Sequence, residues 1–122
     1  MDALGIVGVG GALAIAVAAL AASAEPTPAV EIQLFQFKPG AVEVKAGTAI
    51  TWTNGDDIEH TVTSGDPEHR TGRFDQRLSG RGSTTTVKLS EPGIYPYFCD
   101  RHPSMRGEVR VNPSETQERS EP

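Results

Sequence analysis

Along most of the chain, apolar side chains recur at every second position. Val30, Ile32 and Leu34 alternate with Glu31 and Gln33, Val42 and Val44 with Glu43 and Lys45, and Ile50 and Trp52 with Thr51 and Thr53. The same period returns at Val87 and Leu89, at Tyr95, Tyr97 and Cys99, and at Val109 and Val111. Successive side chains of a strand point to opposite faces, so this period predicts strands with one face buried and one face wet. Past Leu34 the phase slips, because Phe35 and Phe37 flank Gln36. A slip of one residue turns later side chains over, which predicts a β-bulge or a change of sheet at that point. Turn residues punctuate the segments at Pro39-Gly40, Ala46-Gly47, Asn54-Gly55-Asp56, Ser64-Gly65-Asp66, Gly80-Arg81-Gly82 and Glu91-Pro92-Gly93. Nothing beyond residue 24 sustains a 3.6-residue period with capping signals. The prediction is an all-β domain, an antiparallel sandwich of about seven to eight short strands.

Parity carries the reading further. Cys99 faces the way Tyr95 and Tyr97 face, and Ile94, Pro96 and Phe98 take the opposite side; His60 shares its side with Val62. If both sets point inward, Cys99 and His60 meet at one end of the sandwich. Pro96 cannot donate to a ladder, which places it at an edge or a bulge.

The first 24 residues differ in kind. From Ala3 to Ala22 there is no polar or charged side chain, and Ala22-Ser23-Ala24 has the small-x-small form that signal peptidases cut. Residues 1–24 are therefore expected to be a signal peptide. Retention as a membrane anchor is the alternative, because the apolar run is near the ~20 residues that cross a bilayer. Residues 25–112 form the expected folded domain and 113–122 a disordered polar tail. The folded part belongs outside the cytoplasm, periplasmic or secreted, or anchored and facing outward.

Composition narrows the chemistry. With 122 residues and 37% hydrophobic side chains the chain supports one compact domain. A net charge of −5 argues against nucleic acid or an anionic membrane surface as partner. The single cysteine excludes an internal disulfide and any all-thiolate zinc or iron–sulfur cluster. Outside the cytoplasm a lone thiol is a liability unless something occupies it.

That thiol, Cys99, lies in "YFCDRHPSM", residues 97 to 105, with His102 three positions on and Met105 three after that. The other histidines are His60, on a strand, and His69, in the polar stretch "GDPEHRTG", which reads as a solvated side chain. Taken singly, each candidate is ordinary: a buried cysteine, a gap-filling methionine, a surface or core histidine. Taken together, two imidazoles, a thiolate and a weak thioether form the trigonal His₂Cys set with a long axial Met that holds copper in electron-transfer sites. Zinc would call for more cysteines or a carboxylate. A Cys-x-x-His-x-x-Met loop supplies three such groups from one turn and leaves the fourth to a distant strand.

"GIYPYFCDRHPSMRGEVRV" and "ITWTNGDDIEHTVTSGD", with "GRFD" at 72 to 75 and the last Gly-x-Val-x-Val strand, resemble the cupredoxin, or type 1 blue copper, family. The loop length is most similar to its amicyanin/plastocyanin-like branch. The resemblance implies a Greek-key β-sandwich of about eight strands and one copper per chain, held by His60, Cys99, His102 and an axial Met105. It implies a monomeric one-electron carrier, not an enzyme, working between a redox donor and a redox acceptor. For this branch those are an amine dehydrogenase and a cytochrome. Nucleic acid has no place in this reading, and a membrane enters only if residues 1–24 are retained. Thr61 and Asn54, flanking His60, are candidates for hydrogen bonds that fix the loops. Pro96, Asp100 and Arg101 depart from the family pattern, beside the ligands but not among them. The rival reading is a copper-binding or copper-delivery protein without an electron-transfer role. A multicopper oxidase fragment would need further histidine pairs, which the sequence lacks.

Overall fold

The computed structural model describes residues 27–114, so the leader or anchor expected at 1–24 and most of the tail expected at 113–122 lie outside the described residues. Alternating burial makes strands of β1 (Ala29–Gln33), β2 (Gln36–Lys38), β3 (Ala41–Lys45) and β4 (Ala49–Asn54). They are followed by β5 (His60–Asp66), β6 (His69–Leu78), β7 (Thr84–Lys88), β8 (Gly93–Phe98) and β9 (Arg106–Asn112). Among the described residues none is helical. The strands form a Greek-key sandwich of two sheets, one ordered β2-β1-β4-β7 and the other β3-β9-β8-β5-β6.

Between the sheets lie Val30, Ile32, Phe37, Val44, Ile50, Trp52, Val62, Phe74, Leu78, Tyr97 and Val109, all buried. Tyr97 is the hub of the aromatic packing, edge-on to Phe37 at 4.7 Å and to Trp52 at 5.4 Å between ring centroids. Directly across the β8–β9 ladder, Tyr97 pairs with Gly107, whose missing side chain leaves room for the ring. Burial of its hydroxyl pushes the Tyr97 pKa up to about 12, against a smaller opposing pull from Trp52.

The structure corrects the expected architecture at several points. β6 is a ninth strand that alternation did not disclose, because only Phe74 and Leu78 of its ten residues are buried. It is an edge strand, and its remaining side chains face solvent. The sandwich is not wholly antiparallel: β1 runs parallel to β4, and β3 parallel to β9. The phase slip after Leu34 is neither a bulge nor a sheet change. β1 and β2 pair as a hairpin with Gln33 opposite Gln36, so Leu34 and Phe35 alone form the turn, and Leu34 is 77% exposed. Ser64-Gly65-Asp66 is not a turn either. β5 continues to Asp66 with an irregularity between Thr63 and Gly65, and the reversal falls at residues 67–68.

Pro96 lies inside a sheet, not on an edge strand. The β5–β8 pairing reaches only Ser64 opposite Tyr97, however, so at Pro96 the strand is flanked by β9 alone and no ladder bond is lost. Phe98 is buried although its parity points it outward, because the Arg70 guanidinium lies over its ring at 5.6 Å.

Candidate metal centre

His60 opens β5 and Cys99 follows directly on β8, so the pairing of Thr63 with Phe98 brings the two to the same end of the sandwich. The loop after Cys99 folds back on itself through three backbone bonds. His102 N–H donates to Cys99 O at 3.2 Å, Met105 N–H to His102 O at 2.8 Å, and Cys99 N–H to Met105 O at 3.2 Å. Those turns set His102 above the thiol. The Cys99 Sγ lies 3.7 Å from His60 Nδ1 and 3.6 Å from His102 Nδ1, and all three atoms fall within 4.8 Å of one another. Cys99 and His60 are fully buried and His102 is half-buried.

This spacing fits a single metal ion. Bonds of about 2.0 Å to imidazole nitrogen and about 2.3 Å to thiolate, opened to ~120°, separate N from S by ~3.7 Å. The donor set selects the metal: one thiolate with two imidazoles is a copper set. His60, Cys99 and His102 are positioned to bind one copper. Met105 is 3% exposed, at the base of the same loop. His69 takes no part; it starts β6 instead of lying in a loop, and it is exposed, beside Asp66.

Hydrogen bonds from the surrounding groups hold the three donors in this triangle. His60 Nε2 is 2.8 Å from Asp56 Oδ2. A carboxylate only accepts, so Nε2 carries the proton and the Nδ1 lone pair is left facing Cys99. Burial of Asp56 opposes its ionisation, but the Phe35 N–H, His60 and the Leu34 N–H together outweigh this and hold its pKa below the usual carboxylate value. Burial, then His60, then the Arg101 guanidinium lower His102. Its imidazole is therefore neutral, as a ligand must be, at neutral pH.

Thr61 and Asn54 both fix loops, as expected. The Thr61 N–H donates to Cys99 Sγ at 3.3 Å. Its hydroxyl accepts from the Asp100 N–H at 2.8 Å and meets the Thr63 hydroxyl at 2.9 Å, which in turn donates to Asp75 at 2.9 Å. The carboxylate at one end and the N–H at the other fix the direction of this chain: Asp100 N–H to Thr61, Thr61 to Thr63, Thr63 to Asp75. It ties the ligand loop to the edge strand. Asn54, wholly buried, donates to Ile58 O at 2.9 Å and Leu78 O at 3.3 Å and accepts from the Asp56 N–H at 2.8 Å, which shapes the segment leading into His60.

Two further residues were not singled out by the sequence. Asp56 appeared there only as a turn residue, and Phe35 only as a phase slip. The Phe35 ring stands edge-on to both imidazoles, 5.3 Å from His60 and 4.9 Å from His102 between centroids. A charged residue four positions before a candidate His ligand was the available signal for Asp56; nothing local pointed to Phe35.

Sandwich and donor set together define the class as cupredoxin. Residues 26–112 match the family of copper binding proteins described as plastocyanin/azurin, and the chain belongs to that family. Amicyanin-alpha of Methylorubrum extorquens is 34% identical over 82 residues, which cover 67% of this chain and 69% of that protein. Plastocyanin A/B of Petroselinum crispum is 33% identical over 84 residues, covering 62% and 87%. Among solved structures, a purple cupredoxin from Nitrosopumilus maritimus superposes with a TM-score of 0.64 at 27% identity, covering 70% of this chain and 99% of that one.

Proposed function

We propose that the protein is a one-electron carrier with a mononuclear type 1 copper site, in which His60, Cys99 and His102 are the strong ligands and Met105 the weak axial one. The observation that carries this reading is the triangle of Cys99 Sγ and two imidazole nitrogens with its 3.6 and 3.7 Å edges. Copper bound there supplies a single-electron couple, Cu(II)/Cu(I). The chain's contribution is to keep the donors in one arrangement in both oxidation states. Asp56 holds the His60 ring, the Thr61 N–H holds the thiolate, and the loop's backbone bonds hold His102. A cage that does not rearrange makes electron exchange fast.

The carrier takes an electron from one redox protein and gives it to another, with half-buried His102 marking the end a partner approaches. The amicyanin-like loop length supports an amine dehydrogenase as donor and a cytochrome as acceptor. Location outside the cytoplasm, periplasmic or secreted, is supported by the apolar run from Ala3 to Ala22 and the small residues after it. In this reading residues 1–24 are a leader or an anchor, 25–112 the copper domain and 113–122 a polar tail.

Voltammetry and metal exchange on the copper-loaded full chain test the proposal. The expected result is a reversible one-electron wave and slow loss of copper to a chelator. Rapid transfer of copper to the chelator with no reversible wave would establish a copper-delivery protein instead.

A further inference from the structure

The turn between β1 and β2 breaks a local rule. Leu34 and Phe35 both have positive φ, 52° and 59°. A two-residue hairpin turn of this hand is ordinarily built from Asn-Gly, because glycine lacks a Cβ and asparagine's short polar side chain tolerates left-handed backbone, whereas larger side chains are strained there. Here it is built from two large apolar residues, one 77% and the other 46% exposed. Such strain persists where the surroundings over-determine it, and the inference runs from the outlier to a function.

What over-determines it is Asp56. Its Oδ1 accepts the Leu34 N–H at 2.8 Å and its Oδ2 the Phe35 N–H at 3.0 Å, while Oδ2 also holds His60 Nε2. One carboxylate thus joins the strained turn to a metal-binding imidazole. The turn then reaches the other imidazole directly, through the Phe35 ring at 88° to His102.

The two histidines differ in a way that gives this contact its meaning. A metal-binding imidazole ordinarily donates its second N–H to a partner that fixes the ring. His60 does so, to Asp56. His102 makes one ring contact of hydrogen-bond type, from Nδ1 to Cys99 Sγ, and its Nε2 has no protein partner among the described residues. Two aromatic rings stand against it, Phe35 at 4.9 Å and His60 at 5.0 Å between centroids.

We propose that Phe35 is the positioning residue for His102, and that the Asp56-pinned Leu34–Phe35 turn is a clamp holding both imidazoles in place. The proposal rests on the copper reading above for its metal-binding consequence, and on the protein's own geometry for the clamp itself. It accounts for a strained, apolar, solvent-facing turn at a place where Asn-Gly would fold more easily.

The deciding variant is the double substitution Leu34→Asn, Phe35→Gly in the full chain. It keeps the two-residue turn and both N–H groups that Asp56 accepts, relieves the strain, and deletes the ring. The clamp predicts opposite responses in two measurements. The metal-free variant melts at the same temperature as the parent or higher, while its Cu(II) affinity, by chelator competition, falls about 10-fold or more, the usual effect of removing a ligand-orienting group. Phe35→Tyr, which retains the ring, restores the parent affinity. Unchanged affinity in the double variant, or equal loss in Phe35→Tyr, overturns the proposal.

A second arm needs no copper. In the metal-free protein, nuclear Overhauser contacts from the Phe35 ring to both imidazoles are expected, and their absence overturns the clamp. A parent protein that shows these contacts yet forms no coloured copper adduct would refute the proposed function and leave the clamp standing.

Discussion

Gly107→Ala adds a single methyl that runs into the Tyr97 ring. An alanine Cβ at this position would stand 2.5 Å from the Tyr97 hydroxyl oxygen and 2.8 Å from Cε1, and closer still to Cζ. Carbon atoms rest at about 3.5–4.0 Å, so the ring would have to retreat by roughly 1 Å. It has nowhere to go. Phe37 and Trp52 hold it edge-on, Phe74 stands 6.4 Å away, and the ring is 1% exposed. The alternative is to spread β9 from β8, where Tyr97 and Gly107 are paired. Overpacking of this sort costs about 1–3 kcal/mol. At roughly 4–8 °C per kcal/mol for a domain of this size, the metal-free protein should melt about 5–20 °C lower. Trp52, the only tryptophan, packs on the same ring and reports the transition by fluorescence. Gly80→Ala is the control, since nothing lies within 4 Å and no positive φ is involved; it should fall within about 0.5 kcal/mol of the parent. In a Tyr97→Leu background, which lacks the clashing ring atoms, the penalty at 107 should largely vanish. A Gly107→Ala melt within 2 °C of the parent by this ~4–8 °C per kcal/mol scale, or a penalty undiminished by Tyr97→Leu, would refute the reasoning.

Cys99→Ala should leave a folded protein without the visible copper band, checked by circular dichroism beside the copper spectrum; a variant with the parent's spectrum would remove Cys99 from the ligand set. Met105→Ala should keep its colour and shift its reduction potential, because an axial thioether bond is long and weak; a colourless variant would make Met105 a strong ligand. Asn54→Ala strands the Asp56 N–H and two carbonyls, and should destabilise the metal-free protein by about 1–3 kcal/mol in a denaturant melt. Reversing charge at Arg101 and Arg106 should slow electron transfer to an acidic partner and flatten its salt dependence, measured by stopped flow at two ionic strengths.

The strands legible from sequence were those that bury one face and wet the other. β4 shows the full alternation, with Ile50, Trp52 and Asn54 inward. β6 was hidden because an edge strand with two buried side chains in ten leaves no period to detect. The turn at Leu34–Phe35 was misread because its stabilising acceptor, Asp56, lies more than twenty residues away, and local turn rules see only local residues. Phe98 broke parity for a similar reason, its cover being Arg70 on a strand adjacent only in space. The centre itself was unusually visible. Of its three donors, Cys99 and His102 come from one loop, with Met105, the proposed axial ligand, at its base, and His60 needed only strand parity to join them. The parts that were not visible, Asp56 and Phe35, act on the ligands through contacts that the chain makes only once folded.

The central claim is that a thiolate and two imidazoles hold one copper ion. Adding Cu(II) stepwise to the metal-free full chain while recording the visible spectrum tests it most directly. An intense thiolate-to-Cu(II) band is expected, giving a blue protein, that grows linearly and stops at one equivalent. A colourless adduct, or colour that continues to grow past one equivalent, would contradict it.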